Sequence, residues 1–509
     1  MAYGLVSPSS CPGAAYYVDP DYGGGGADGS ASTPWRTLGS TAWQTINSTL
    51  ATEDVTVYVS ALEPDGVTQE ARTMFLEIRR SSTSTHRLTL DGHASYNTDD
   101  ASPSWANNPA PIEEAYTNGA VFRLIGNGSS ALGWSRSSAY PKQDNVTVRG
   151  FECTGNGART SFAGDHTVIE YLHLHDITRI GPALAVLYTF PDAGCDDLSD
   201  RILDPCTDLT IRHVRIDTCY GEALYIGSVN PDCPVSIQQA MGNEHSDFLI
   251  EDVFIRNPGT GGGQGDGLDI KNGVTKVHIR DCEISGVTGM GAIILPQTMV
   301  ESDQQILVER CFIHDSAPAG EARRAIYGVS SSGKFGYKGV TVRNCIVARH
   351  YQGITLTGEG SNLEKCYVYN NTIYGCDHPG LRVSAVVGGE VFNNLVFDNG
   401  GPTSLSGQNI VSDHNAYHGR WLYQQEGVNS IQMSDAERSD VLVSPAQDQY
   451  VPTQDSVVID SGLTVGGFSD DHFAALRASD AWDIGAVEAG GRPSLAPAPP
   501  VNLRVEPSN

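Results

Sequence analysis

Apolar and polar residues alternate in a short pattern that recurs through the middle of the chain. In VHIRDCEI (277–284), ILVERCFI (306–313) and VTVRNCIV (340–347), alternate positions are apolar, two polar residues intervene, and Cys-x-Ile/Val follows. The same order is present in VTVRGFEC (146–153), TVIEYLHL (167–174), LTIRHVRI (209–216) and FLIEDVFI (248–255), and more loosely in YVYNNTIYG and EVFNNLVFDNG. A period of two predicts strands buried on one face. The second apolar position of each segment falls at 148, 169, 211, 250, 279, 308, 342, 368 and 391, with gaps of 21, 42, 39, 29, 29, 34, 26 and 23. Strands recurring at this spacing predict one coil per repeat, hence an all-β parallel solenoid. The gaps hold Gly, Pro, Asn and Ser, not helical periods, which argues against a doubly wound α/β fold.

A solenoid stacks equivalent positions. The slot after the polar interruption becomes a column of Val214, Val253, Cys282, Cys311, Cys345, Asn371 and Asn394. Its cysteines are expected as buried, inert thiols and its asparagines as a hydrogen-bonded turn ladder. Open strand edges at the ends need covers. PWRTLGSTAWQTIN (34–47) puts Leu38, Ala42, Trp43 and Ile46 on one helical face and predicts an N-terminal capping helix. The repeat fades near 418 into an irregular C-terminal cap. The expected division is a tail at 1–14, a β-helix domain over 15–489 and a Pro-rich linker over 490–509.

Aligning the strand after each long loop gives CYGEALYIGS, QGDGLDIKNG, GMGAIILPQT, RRAIYGVSSS, YQGITLTGEG and HPGLRVSAVV. Leu224, Leu268, Ile293, Ile326, Ile354 and Leu381 then face inward, and Tyr225, Asp269, Ile294, Tyr327, Thr355 and Arg382 outward. Glu222, Asp266, Arg324 and Gln352 stand where these strands begin, with Arg323 beside them. Three acids, a lysine, arginines and two tyrosines thus converge on one face.

Composition narrows the partners. With 60 Asp and Glu against 32 Lys and Arg, the formal charge is −28, which excludes nucleic acid or an anionic membrane as the main partner. No apolar run reaches the length of a bilayer span. The chain holds 11 cysteines without a CxxC pair, so a structural zinc site is not expected; a loop disulfide between Cys195 and Cys206 is. The start, MAYGLVSPSSCPG, lacks the basic and apolar regions of a signal peptide. No Gly-x-Ser-x-Gly elbow, phosphate-binding loop or dinucleotide fingerprint occurs.

YYVDPDYGGGGADGSASTPWRTL resembles the opening of many secreted bacterial right-handed parallel β-helix proteins, the carbohydrate-active pectate lyase-like superfamily, and SVVIDSG and DIGAVE resemble their closing signature. The resemblance covers about 15–489 and implies a right-handed β-helix in a secreted protein, expected as a monomer. PAPPVNLRVEPSN is similar to the start of a fibronectin type III module. DGLDIKNG is similar to the Asp-rich, lysine-bearing coils of calcium-dependent pectate lyases, although the next coil reads GMGAIILPQ and supplies no further acid.

On this resemblance the chain is expected to be a polysaccharide lyase cleaving a uronic-acid polymer by β-elimination. Glu222, Asp266 and Asp269 would hold Ca²⁺, Lys271 would act as the base, and Arg323 or Arg324 would grip a carboxylate beside Tyr225, Tyr327 and Arg382. A glycoside hydrolase of the inverting kind, using Asp266 with Asp269 or either with Glu222 at roughly 6.5–9.5 Å, is the alternative, and a noncatalytic glycan-binding solenoid the third reading. The bland assignments stand beside these: Asp266 and Asp269 as turn caps, Lys271 as a solvated strand edge, Arg323 and Arg324 as partners of Glu321. His173, His175 with Asp176, and His314 with Asp315 form clusters without an identified third ligand, and His245 and His350 flank the main patch as auxiliary acids.

Overall fold

A computed structural model describes residues 13–62, 69–73, 76–80, 85–97, 104–106, 112–128, 131–134, 143–157, 160–179, 181–186, 206–227, 245–261, 264–271, 274–296, 305–316, 323–330, 337–358, 363–422, 426–478 and 481–489. Its strands form a right-handed parallel β-helix. Three sheets run along it, each pairing residues of one coil with those of the next in parallel. The first contains 167–170, 209–212, 248–251 and 277–280, the second 172–177, 214–219, 253–258 and 283–285, and the third 160–162, 184–186, 224–226 and 268–270.

The polar pair between the first two sheets is the corner of each coil. One residue there is left-handed: Tyr171 (φ 53°), His213 (53°), Asp252 (50°), Asp281 (55°), Arg310 (51°), Asn344 (52°), Asn370 (49°) and Asn393 (58°). Such a residue turns the chain without ending the ladder, so the corners stack as evenly as the strands. The expected column follows directly after it. Cys282, Cys311 and Cys345 are buried and accept the next coil's backbone, as in Phe312 N to Cys282 O at 2.8 Å. Asn371 Oδ1 accepts from Cys345 N (3.0 Å), Asn394 Oδ1 from Asn371 N (3.2 Å) and Asn415 Oδ1 from Asn394 N (2.9 Å), extending the asparagine ladder one coil further. Burial pushes the Cys345 thiol well up, as an inert core thiol requires.

Along the outer face of the first sheet runs an alternating charge ladder: Asp91, Arg149, Glu170, Arg212, Glu251, Arg280, Glu309 and Arg343 occupy successive rungs. Arg149 pairs with Asp91 at 2.8 Å, Arg212 with Glu170 at 2.6 Å and Arg280 with Glu251 at 2.7 Å. A slip of one coil would keep the hydrophobic pattern but place like charges together, so this column helps to fix the register.

Helix α1 (Ser40–Leu50) buries Ala42, Trp43, Ile46 and Leu50 against the first coil, as the N-terminal cap must. Leu38 packs on the core from outside the helix. At the other end the chain turns back along the flank. Leu463 N donates to Asn393 Oδ1 (2.8 Å), Ala486 N to Thr372 Oγ1 (2.9 Å), and Arg310 pairs with Asp470 at 2.6 Å. This segment seals the corner ladder of earlier coils. No helix among the described residues is long and apolar enough to cross a membrane.

Candidate functional site

The third sheet has the expected register. Tyr225, Asp269, Ile294, Tyr327, Thr355 and Arg382 follow one another rung by rung, and Leu224, Leu268, Ile293, Ile326, Ile354 and Leu381 are fully buried beneath them. Ala223 N bonds to Asp266 O (2.9 Å), which brings Glu222 and Asp266 together at the start of adjacent strands. Carboxylate oxygens of Glu222, Asp266 and Asp269 lie within 4.8 Å of one another, and the three residues are only 7%, 1% and 1% exposed.

Glycines make this crowding possible. A Cβ on Gly289 would strike Asp266 Oδ1, and one on Gly267 would strike the carbonyl of Ala292. Asp266 Oδ1 accepts from Gly291 N at 3.0 Å, so the turn-capping role expected for this residue is real but leaves its other oxygen for the cluster. Gly227 (φ 111°) lies under Lys271, where a Cβ would come within 2.9 Å of the lysine's own Cβ.

Three buried acids repel. Burial, followed by the charge of Asp269, raises Glu222 to about 7 and Asp266 to about 6; burial also raises Asp269. Lys271 Nζ pairs with Asp269 Oδ2 and lies 4.7 Å from the ring centre of Tyr225. Among the described residues neither Asp269 oxygen accepts a well-formed hydrogen bond, and Lys271 is the cation paired with it. The set consists entirely of oxygen donors, with a buried carboxylate lacking hydrogen bonds, and this fits a hard divalent cation.

The remaining expected residues divide. Arg324 belongs to the site's face, with its guanidinium 4.2 Å from the Tyr327 ring centre, two coils beyond Asp266. Arg323 is 8% exposed, and its Nε donates to Thr288 O at 3.0 Å, so it braces the loop between coils. Arg382 is exposed on the same column but four rungs from Asp269, roughly 19 Å away. His350 and His245 are both buried. His350 Nδ1 lies 3.2 Å from Gln352 O, and His245 Nδ1 accepts from Cys206 N at 3.1 Å. Glu321, Cys195 and the linker 490–509 lie outside the described residues.

His173 and His175 acquire a third neighbour that the sequence reading did not identify. Glu152 stands one coil earlier on the second sheet, 2.7 Å from His175 Nε2. Its signal was the register itself, because FEC and LHL align so that Glu152 pairs with His173. His314, paired with Asp315 at 2.7 Å, instead stacks on Phe312 beside the C-terminal segment.

Residues 240–428 match the right-handed β-helix region family. None of the curated proteins compared matches the chain. Among solved structures, the GH136 lacto-N-biosidase from Eubacterium ramulus is similar at 11% identity and a TM-score of 0.43, over 82% of this chain and 68% of that one. The PL6 family alginate lyase AlyGC is similar at 13% identity and 0.39, over 90% and 60%. Pectate lyase Pel9A is similar at 11% and 0.38, over 93% and 96%. The fold assignment rests on the strand ladder and the family match.

Proposed function

We propose that this chain is a secreted, monomeric polysaccharide lyase that cleaves a uronic-acid polymer by β-elimination on the outer face of the third sheet. The observation that carries the reading is the buried trio Glu222, Asp266 and Asp269 sharing one strand edge with Lys271. A bound Ca²⁺ would neutralise the uronate carboxylate and so acidify the adjacent C5 proton. Glu222, Asp266 and Asp269 would hold that ion.

The chain's own residues supply the rest. Tyr225 and Tyr327 offer flat faces on either side of Asp269, suited to sugar rings. Arg324 is positioned to grip a carboxylate on a neighbouring sugar in bidentate fashion. Lys271, partly exposed beside Tyr225, is the base. It takes the C5 proton, the electron pair forms the C4–C5 double bond, and the C4–O bond breaks to release the leaving chain. To reach that proton the Lys271 amine must leave its pairing with Asp269.

A retaining hydrolase is the second reading, favoured by Glu222 holding its proton up to about pH 7, as a general acid would. The oxygens, all within 4.8 Å, are closer to the roughly 5 Å of a double-displacement pair than to the roughly 6.5–9.5 Å of an inverting one.

The test is digestion of a panel of uronic-acid polysaccharides with calcium and with chelator. The expected result is a rise in the ultraviolet absorbance of an unsaturated product, abolished by chelator. Lys271→Ala is expected to lower that rate about 10³-fold without altering the fold. New reducing ends without the absorbance would establish hydrolysis, and an unchanged rate in Lys271→Ala would remove the base assignment.

A further inference from the structure

The second sheet carries a cleft of 570 Å³, apart from the acid trio, whose floor and walls include Glu152, His173, His175, Arg215, Asp217 and Arg256. Two imidazoles two residues apart on one strand project outward together, with ring centres 4.5 Å apart. Glu152 is their neighbour in the ladder. One nitrogen from each histidine and one oxygen of Glu152 lie within 4.8 Å of one another.

Each of the three is held from behind. Glu152 accepts from Gln69 Nε2 and from Arg123 Nε, both at 2.7 Å. His173 Nε2 meets Asp217 at 3.1 Å, and His175 Nδ1 meets Asp176 at 2.8 Å. Carboxylates that fix the second nitrogen of an imidazole orient it and raise its basicity, which is the outer support a histidine ligand needs. The strand backbone makes the arrangement rigid, and the cleft leaves one side open.

We propose that Glu152, His173 and His175 form a site for an imidazole-preferring divalent transition metal of the zinc class, with its open coordination positions facing the cleft. The ion would take the place of the direct contact that His175 Nε2 and Glu152 now make at 2.7 Å. Two nitrogens and one carboxylate oxygen suit such a metal and not calcium, which takes oxygen ligands in larger number. In the cleft Arg123, Arg215 and Arg256 balance Glu152, Asp176 and Asp217, so an occupied site would be cationic and would favour a small anionic ligand beside the metal.

The experiment adds Co²⁺, as a visible stand-in for zinc, to the full chain with calcium in excess to fill the all-oxygen trio. Equilibrium dialysis and the cobalt absorption band are read for wild type, His173→Gln and His175→Gln. The expected result is uptake of a single cobalt ion by wild type, with affinity at least ~100-fold weaker in either variant. Glutamine keeps a hydrogen-bonding group at an outward position, and an unchanged unfolding transition without metal verifies the fold. Zinc is also expected to raise the unfolding midpoint of wild type and of neither variant. The proposal is overturned if wild type takes up no cobalt, if either folded variant takes it up equally, or if the cleft binds a uronate oligomer with no metal uptake.

Discussion

The solenoid places charged side chains along two of its outer faces, and among the described residues it balances them rung by rung on one and not on the other. On the first sheet acids and arginines alternate over eight rungs, and the deeply buried Glu309 is met by Arg343 at 2.5 Å, His278 at 2.8 Å and Arg310 at 3.2 Å. Those contacts outweigh burial and hold Glu309 down to about 2. On the third sheet Glu222, Asp266 and Asp269 share one lysine, and Glu222 and Asp266 are displaced upward to about 7 and about 6. Burial is alike in the two places, but Glu309 has an arginine on the rung to either side, whereas Asp269 has Tyr225 and Ile294. The column carries its counter-charge within itself, whereas among the described residues the trio is paired with one lysine, and its acids hold their protons to higher pH.

The largest effect should come from removing one charge at each place. Glu309→Gln leaves Arg343 and Arg310 facing a neutral group and is expected to destabilise the fold by ~3 kcal/mol in denaturant unfolding. Glu222→Gln removes repulsion and is expected to stabilise the calcium-free protein by ~1 kcal/mol at slightly alkaline pH, while weakening calcium binding. Opposite signs would sustain the contrast. Loss of stability in both variants would mean that the trio is as internally compensated as the ladder.

Acidity offers a second separation. Glu222 and Asp266 have folded pKa values above those of the unfolded chain, so they bind more protons when folded. Their contribution makes the calcium-free protein less stable as pH rises from about 4 to about 7, after which the loss levels off. Glu309 and Glu152 are both depressed to about 2, and their contribution is present above about pH 4 and lost as pH falls towards 2. Melting curves from pH 4 to 8, with calcium and with chelator, should show the alkaline loss only with chelator. The double variant Glu222→Gln, Asp266→Asn should flatten it.

Both faces were written in the sequence, unequally. Alternation fixed which residues of the third sheet face out, because Leu268 and Ile270 belong in the wall and leave Asp269 and Lys271 no other side. The corner column was legible for the same reason. The charge ladder was equally present in the repeats, as the R of TIRH, the E of LIED and the R of HIRD, but it becomes visible only once the repeats are stacked and read down the page. Arg323 shows the limit: adjacency to Arg324 suggested a shared role, yet a one-residue step turns its side chain to the backbone of Thr288. Glu152 stands in register with His173, 21 residues before it, and Asp217 in register with His175, 42 residues after it, while the side chain of each acid meets the other histidine of the pair. No local motif links such positions, so the cluster emerges only from the register.

The smallest expected effect marks where the comparison stops applying. Lys276 and Asp247 stand on adjacent coils, 3.4 Å apart, with side chains 50% and 51% exposed. Water already solvates both charges, and ordering two flexible side chains costs about what their attraction gains. Lys276→Gln is therefore expected to change unfolding free energy by less than ~0.5 kcal/mol, with little dependence on salt. A loss near that of Glu309→Gln would mean that alternation alone stabilises the solenoid. A negligible one would place the strength of the ladder in its buried rungs, where an unmatched charge has no water to turn to.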